Sequence, residues 1–218
     1  SLAAPLNWIY AADTFGRTMP YDIFYLDLRL GSLVPELEQG MKISHDYRLL
    51  SFEGSVDNAI VIYHQPPGCL RVLQPIYDAH YPQLPELIAA ALPFSNLNRI
   101  VAKPNMEASL PTYIYGTALD PDWCYYFEKA ELARQQGDWQ RVVSLGDVAF
   151  QLEDSPNHAS ERMPFIQGYA YAGQWDRAVD LTLETIEINK FMQPMVCSVW
   201  ADILKKTASH LRIGKTQS

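Results

Sequence analysis

The sequence is short of positive charge. It carries 17 Lys and Arg against 25 Asp and Glu, a formal net charge of -8. The deficit runs the whole length, with 7 basic against 11 acidic residues up to Gly116, leaving 10 against 14 of those totals beyond it. The only adjacent basic pair is Lys205-Lys206. Binding to a phosphate backbone needs a face rich in Lys and Arg, so no nucleic-acid partner is expected, and an anionic membrane surface is disfavoured on the same ground. Long apolar runs are also missing. The longest, Leu87 to Leu92, falls well short of the roughly 20 residues that cross a bilayer, so no transmembrane segment is expected within this chain.

Cysteine is scarce and badly spaced for metal. Cys69, Cys124 and Cys197 show no CxxC or CxH pattern, which argues against a structural zinc site, and their odd number leaves at least one unpaired. Three buried thiols acting as small hydrophobes is the favoured reading, and a Cys69–Cys124 bridge in an oxidising compartment is the other. The five histidines, His45, His64, His80, His158 and His210, have no HxH or HExxH spacing. No GxSxG elbow, SxxK, GxGxxG or GxxxxGK[ST] loop occurs, so the usual signatures of nucleophilic and phosphate-cradling chemistry are lacking. The expectation is a non-enzyme with no cofactor, no metal and no catalytic residue. Asp78, His80 and His64 are the residues from which an acid–base site would have to be assembled, but nothing in the sequence sets their separation.

What is present first is β-pattern. Tyr47 to Glu53 and Ala59 to His64 are rich in β-branched and aromatic residues and flank the turn-like Gly54-Ser55-Val56-Asp57-Asn58, which predicts an antiparallel hairpin. Cys69 to Leu73 supplies a third strand after Gln65-Pro66-Pro67-Gly68, and Phe24 to Leu30 a candidate fourth. Leu84, Leu87, Ile88, Ala91 and Leu92 recur at helical spacing between Pro82 and Asn98, predicting one helix over the sheet, with Pro85 in its first turn. Residues 1–116 are thus read as an α+β domain, with the seam near Lys103-Pro104-Asn105 and Leu110-Pro111-Thr112, and 117–218 as a helical domain.

That helical domain repeats itself. Gln136-Gly137-Asp138-Trp139-Gln140-Arg141-Val142-Val143 and Ala172-Gly173-Gln174-Trp175-Asp176-Arg177-Ala178-Val179 are near copies 36 residues apart. Helices are predicted over about 122–136, 139–152, 160–172, 175–188 and 194–210. Asp120 is expected to cap the first, ahead of Pro121 at the first helical position and Asp122 on the positive end of the dipole. The same Asp120-Pro121-Asp122 has the acidic-x-acidic form of some metal sites, but its helix-start context favours capping. Gly137 and Gly173 supply left-handed turns, and Ala130, Ala149 and Ala178 allow close helix crossing. Trp139 and Trp175 fill the hairpins' closed ends.

On these residues, together with Tyr126 and Tyr169, positions 122–190 resemble the tetratricopeptide family of helix-pair repeats. Ile166, Thr185 and a spacing two residues too long mark a divergent pair, and Val196, Val199, Trp200, Ile203 and Leu204 a closing helix. The resemblance implies a protein-interaction or scaffolding role with a protein partner. It places a candidate ligand or partner surface on the concave first helices at Phe127, Glu131, Arg134, Met163, Gln167 and Tyr171. The Lys and Asn with which some family members hold a peptide carboxylate are absent there.

Thirteen tyrosines and five tryptophans offer a glycan as the alternative ligand. Asn7-Trp8-Ile9-Tyr10 and Pro67 to Leu73 give residues 1–100 a fainter similarity to the extracytoplasmic C-terminal domains of bacterial polytopic membrane proteins with glycosyltransferase-like cores. That similarity implies an extracytoplasmic location, tethered by a membrane segment outside this chain, with a cytoplasmic one otherwise, and as alternative function an accessory or glycan-handling domain.

Overall fold

The computed structural model describes residues 3–11, 16–25, 34–101, 112–117, 120–154 and 156–215. In chain order the elements are α1 (Ala3–Tyr10), β1 (Thr18–Met19), β2 (Lys42–Tyr47), β3 (Leu50–Ser55), β4 (Ile62–Tyr63), β5 (Arg71–Val72), α2 (Pro75–Asp78), α3 (Glu86–Ala91), α4 (Thr112–Tyr115), α5 (Trp123–Gln135), α6 (Trp139–Ala149), α7 (Met163–Tyr171), α8 (Trp175–Ile188) and α9 (Gln193–Lys215). The fold is α+β with a helical array. The chain divides into two compact units, one of Ser1–Val61 with Pro85–Leu119, the other of Ile62–Leu84 with Asp120–Ser218. Residues 62–84, read from sequence with the N-terminal half, therefore belong with the helices.

In the first unit β2 and β3 pair antiparallel from Lys42↔Ser55 to Tyr47↔Leu50, and β1 adds to β3 in parallel. The hairpin differs from the expected one. Its turn is Arg48-Leu49, with Arg48 at φ 53°, inside a segment that reads as one continuous strand because no Gly or Asn announces the reversal. Gly54 and Ser55 lie within β3, and Val56–Asn58 is a 3-10 turn whose Asp57 N–H donates to Ser55 Oγ. Of the candidate fourth strand, Phe24 and Tyr25 are in no strand, and 26–30 lie outside the described residues. The expected helix over 82–98 is broken. Pro85 sits at the N-cap of α3, and Pro93, which lacks an N–H, falls in the 3-10 turn Leu92–Phe94 that replaces the helix's continuation. α3 packs on the 3-10 turn Val34–Glu36 rather than spreading across the sheet.

In the second unit α5 pairs with α6 and α7 with α8, while α7 also packs on α5, α6 and α9. α5, α7 and α9 thus form one layer, with α6 and α8 behind it. The duplicated turns behave as their glycines require: Gly137 and Gly173 have φ 71° and 79°, in the left-handed region, with nothing within 4 Å of where a Cβ would stand. Ala130, Ala149 and Ala178 are fully buried. Two further glycines, Gly146 of α6 and Gly168 of α7, stand where the helices cross closely. A Cβ on Gly168 of α7 would strike Val142 of α6, and one on Gly146 would meet Phe165 Cδ1 and Tyr169 Oη at 2.8 Å. Trp123, Phe150 and Phe165 form the aromatic centre, with ring centroids 5.2 to 5.5 Å apart.

Three expectations change here. The N-cap of α5 is Asp122, whose side chain accepts from Tyr125 N at 2.9 Å, so Asp120 and Pro121 precede the helix. Trp175 is 41% exposed instead of buried, lying 6.5 Å from the Trp200 ring, because the last helix pair has no further pair to cover it. Trp139 is half-buried on Tyr171 at 4.3 Å. Finally, Cys69 and Cys124 are joined in a disulfide and Cys197 is exposed, so the reading of three buried thiols does not hold.

Candidate functional site

The residues expected to form an open ligand surface on the first helices are closed over. Phe127, Arg134, Met163 and Gln167 are at most 6% exposed, and Glu131 and Tyr171 are half-buried. What fills their face is the chain itself, in the form of the strap Ile62–Leu84. The physical cause is plain in the strap's composition: Cys69, Tyr77 and Tyr81 join one apolar cluster with Trp123, Phe127, Met163 and Val199, and removing these rings from water outweighs leaving the face wet.

The strap is a small hairpin followed by one helical turn. β4 and β5 pair at Ile62↔Val72 and Tyr63↔Arg71 around the Pro66-Pro67-Gly68 turn, where Gly68 N donates to Gln65 O at 2.9 Å. Gly68 lies under His158, so close that a Cβ there would be 2.6 Å from Nε2. The next residue, Cys69, is bonded through sulfur to Cys124 in the first turn of α5. Its amide donates to Glu161 Oε1 at 2.9 Å. Glu161 is wholly buried and its other oxygen accepts from Trp123 Nε1 at 2.8 Å and Asn157 N at 3.1 Å, so one carboxylate gathers strap, α5 and the loop before α7.

Further along, the buried Arg71 pairs with Asp78, reaches Ser160 Oγ at 3.2 Å and lies 4.9 Å over the Tyr81 ring. Asp78 also accepts from Gln74 N at 2.6 Å, fixing the start of α2. Tyr77 then enters the helical layer. Its hydroxyl donates to Asp202 Oδ2 of α9 at 2.7 Å and accepts from Gln167 Nε2 of α7 at 2.9 Å, while Arg134 of α5 stands 5.0 Å over its ring. One phenol thus touches all three helices of the layer.

Around it the network continues. Arg134 donates to Gln167 Oε1 at 3.2 Å and to Glu131 at 2.5 Å. Burial pushes the Glu131 carboxyl up, against the pull of Arg134. Burial, reinforced by the bond to Asp202, raises the Tyr77 phenol to about 12. Burial alone would raise Asp202 too, but bonds from Lys206, Tyr77 and Tyr171 outweigh it and hold its carboxyl below the usual range. These groups bond chiefly to one another, with Arg134 Nε the one buried nitrogen among them left without a partner, and none of the bonds described pairs a nucleophile with a base.

The sequence marked six of the positions on this face and missed what meets them. Arg71, Asp78, Glu161 and the half-buried Asp202 read as surface charges when counted along the chain, because partners that take them out of water lie 7 to 125 residues away, from Asp78 for Arg71 to Tyr77 for Asp202. Asp78 is committed to Arg71 and Gln74, and His64 and His80 are exposed, so the acid–base trio considered from sequence is not assembled. Of the repeat-packing set, Tyr169 is buried with its hydroxyl 2.8 Å from Arg177 and burial raising it to about 12.

Two lesser places remain. In the first unit the carboxyl of Asp22 meets His45 Nδ1 at 3.2 Å and Tyr47 Oη at 3.0 Å. In the second, Gly173, Gln174, Trp175, Asp176 and Arg177 line a shallow open depression at the α7–α8 turn. Among the described residues no group of three or more His, Cys, Asp or Glu is placed to hold a metal ion, and no helix is long and apolar enough to cross a membrane. Compared with protein-family models, curated proteins and solved structures, the chain matches none.

Proposed function

We propose that the chain is a non-catalytic protein-interaction or scaffolding module, a divergent tetratricopeptide-like pair with a closing helix, working outside the cytoplasm. The observation that carries this reading is the strap: the face of α5, α7 and α9 accommodates a peptide segment through a central phenol, backbone and side-chain hydrogen bonds and an apolar cluster. A surface that holds its own chain in this way is chemically suited to a partner's chain. The Cys69–Cys124 bridge supports an oxidising setting, in line with the extracytoplasmic similarity of residues 1–100. Panning a library of linear peptides on the full chain under reducing and oxidising conditions tests the role. Enriched aromatic-containing peptides with saturable binding are expected, and a library that yields no specific binder contradicts it.

One observation favours glycan handling as a second reading. Trp175 offers an exposed ring beside Gln174, Asp176 and Arg177, the mix of flat aromatic and hydrogen-bonding groups on which a sugar stacks. A glycan array with Trp175→Ala as control decides it: sugar binding lost in the variant supports this alternative, and an array without signal removes it.

A further inference from the structure

The strap that fills the helical face is fastened covalently at one point only. Cys69 lies at the strap's β5 end and Cys124 in the first turn of α5, 55 residues later in the chain. The other fastenings are reversible, among them Cys69 N–H on Glu161, Arg71 on Ser160, Tyr77 between Gln167 and Asp202, and Ser198 Oγ on the Ile76 carbonyl. We propose that the Cys69–Cys124 bridge is a redox latch that keeps the strap in place as an internal ligand, and that reduction opens the face to a linear segment carrying the same chemistry. That segment would present a phenol where Tyr77 stands and a guanidinium where Arg71 stands. This deepens the interaction reading and rests on it for the partner, but the latch itself does not.

The chemistry balances with a dithiol reductant. Its thiolate attacks the sulfur of Cys124, the less buried of the two since Cys69 is only 3% exposed, and the S–S bond breaks with the electron pair leaving on Cys69. The Cys69 thiolate takes a proton from water. The reductant's second thiol then attacks the mixed disulfide and leaves as a cyclic disulfide, having lost two electrons, while Cys124 is released as a thiol. Both cysteines end reduced, and nothing else in the strap is altered.

The size of the effect follows from the loop. For a wholly unfolded loop of 55 residues the loop-closure relation gives about a thousandfold, an upper bound here because Pro85–Leu119, within that loop, belongs to the first compact unit. Since noncovalent contacts persist, the reduced strap is still bound most of the time, but its excursions become frequent enough for a competitor to enter.

Hydrogen exchange on the full chain tests the latch without any partner. Oxidised protein, protein reduced by a dithiol under native conditions and a Cys69→Ser variant are compared. Amides of residues 69–81 are expected to lose protection by tenfold or more in the last two, while those of α6 and α8 change less than twofold. Unchanged protection at 69–81 overturns the latch, and so does a loss spread equally over α5 to α8, which would make the bridge a staple of the whole unit. A fluorescent peptide with the sequence of residues 69–81 and Ser at the first position then tests the face. Saturable binding to the reduced chain, at least tenfold weaker to the oxidised one and weakened by Tyr77→Phe in the peptide, is expected. Equal binding to both forms overturns the gating. No binding to a chain whose strap has demonstrably loosened overturns the interaction reading and leaves the latch standing.

Discussion

Replacing Glu161 by Gln changes one atom in a side chain of nearly identical shape, and the structure assigns it a large cost. The carboxylate accepts three N–H groups, from Cys69, Trp123 and Asn157, at 2.8 to 3.1 Å, in a site with no access to water. A Gln side chain has one acceptor oxygen and an NH2. Its better orientation turns the oxygen toward Trp123 Nε1 and Asn157 N, leaving the NH2 facing the Cys69 amide, donor against donor. The charge-assisted bond lost is worth about 1.5 to 3 kcal/mol and a buried donor without an acceptor costs about 1 to 3. Relief from burying a charge offsets part of this, so the net destabilisation is about 3 kcal/mol. At roughly 2 to 4 °C per kcal/mol for a chain of this size, the unfolding midpoint falls by about 6 to 12 °C. Thermal unfolding followed by near-ultraviolet circular dichroism measures it, with the exposed Glu187→Gln as control. A shift under about 2 °C, indistinguishable from the control, would refute the account of Glu161 as the node that joins strap and helices.

Gly168→Ala drives a methyl into Val142 at the α6–α7 crossing and is expected to cost about 2 to 3 kcal/mol in denaturant unfolding, whereas Gly137→Ala and Gly173→Ala, strained only in backbone, cost about 1 each. An equal cost at all three sites would contradict the crossing geometry. The two tryptophans of the repeat separate: Trp139→Ala, half-buried on Tyr171, costs about 2 to 3 kcal/mol, and Trp175→Ala, exposed, about 1. The pH dependence also has a sign. Because the Tyr77 phenol is raised from 10 to about 12, its contribution is whole below pH 10 and is lost as pH rises through about 12, so the alkaline fall in stability should be shallower in Tyr77→Phe. For Glu131 the raised carboxyl also favours the protonated form, and stability declines as pH rises from 4.5 through its elevated value; Glu131→Gln removes that decline in a urea titration at stepped pH.

The helical array was legible because its signals are local. A glycine at φ above +70°, an aspartate capping the next helix and apolar residues at helical spacing act within a few residues of one another, so helices α5 to α9 fall close to their expected bounds. The strap was not legible for the opposite reason. Ile62, Tyr63, Arg71 and Val72 do form strands as their β-branched and aromatic pattern suggests, but the pattern does not say which sheet or which unit receives them. The turn at Arg48 is not legible because an arginine there carries no turn signal, and the duplicated turn suggests equal burial for Trp139 and Trp175, although only Trp139 has a following helix pair to pack against. On the candidate site, Arg134 and Gln167 meet the strap at Tyr77 and Phe127 and Met163 share its apolar cluster, while Tyr171 packs on Trp139 of α6. What periodicity cannot convey is that Tyr77, 50 residues before Phe127, already occupies the helical face.

The claim on which the rest depends is that residues 62–84 lie on the helical layer, stapled there through Cys69. Peptide mapping by mass spectrometry of the unreduced protein tests it most directly. The account predicts one linked species joining the peptide that holds Cys69 to the peptide that holds Cys124, with Cys197 recovered as the free thiol. Recovery of Cys69 and Cys124 as free thiols, or of either one linked to Cys197, would contradict it.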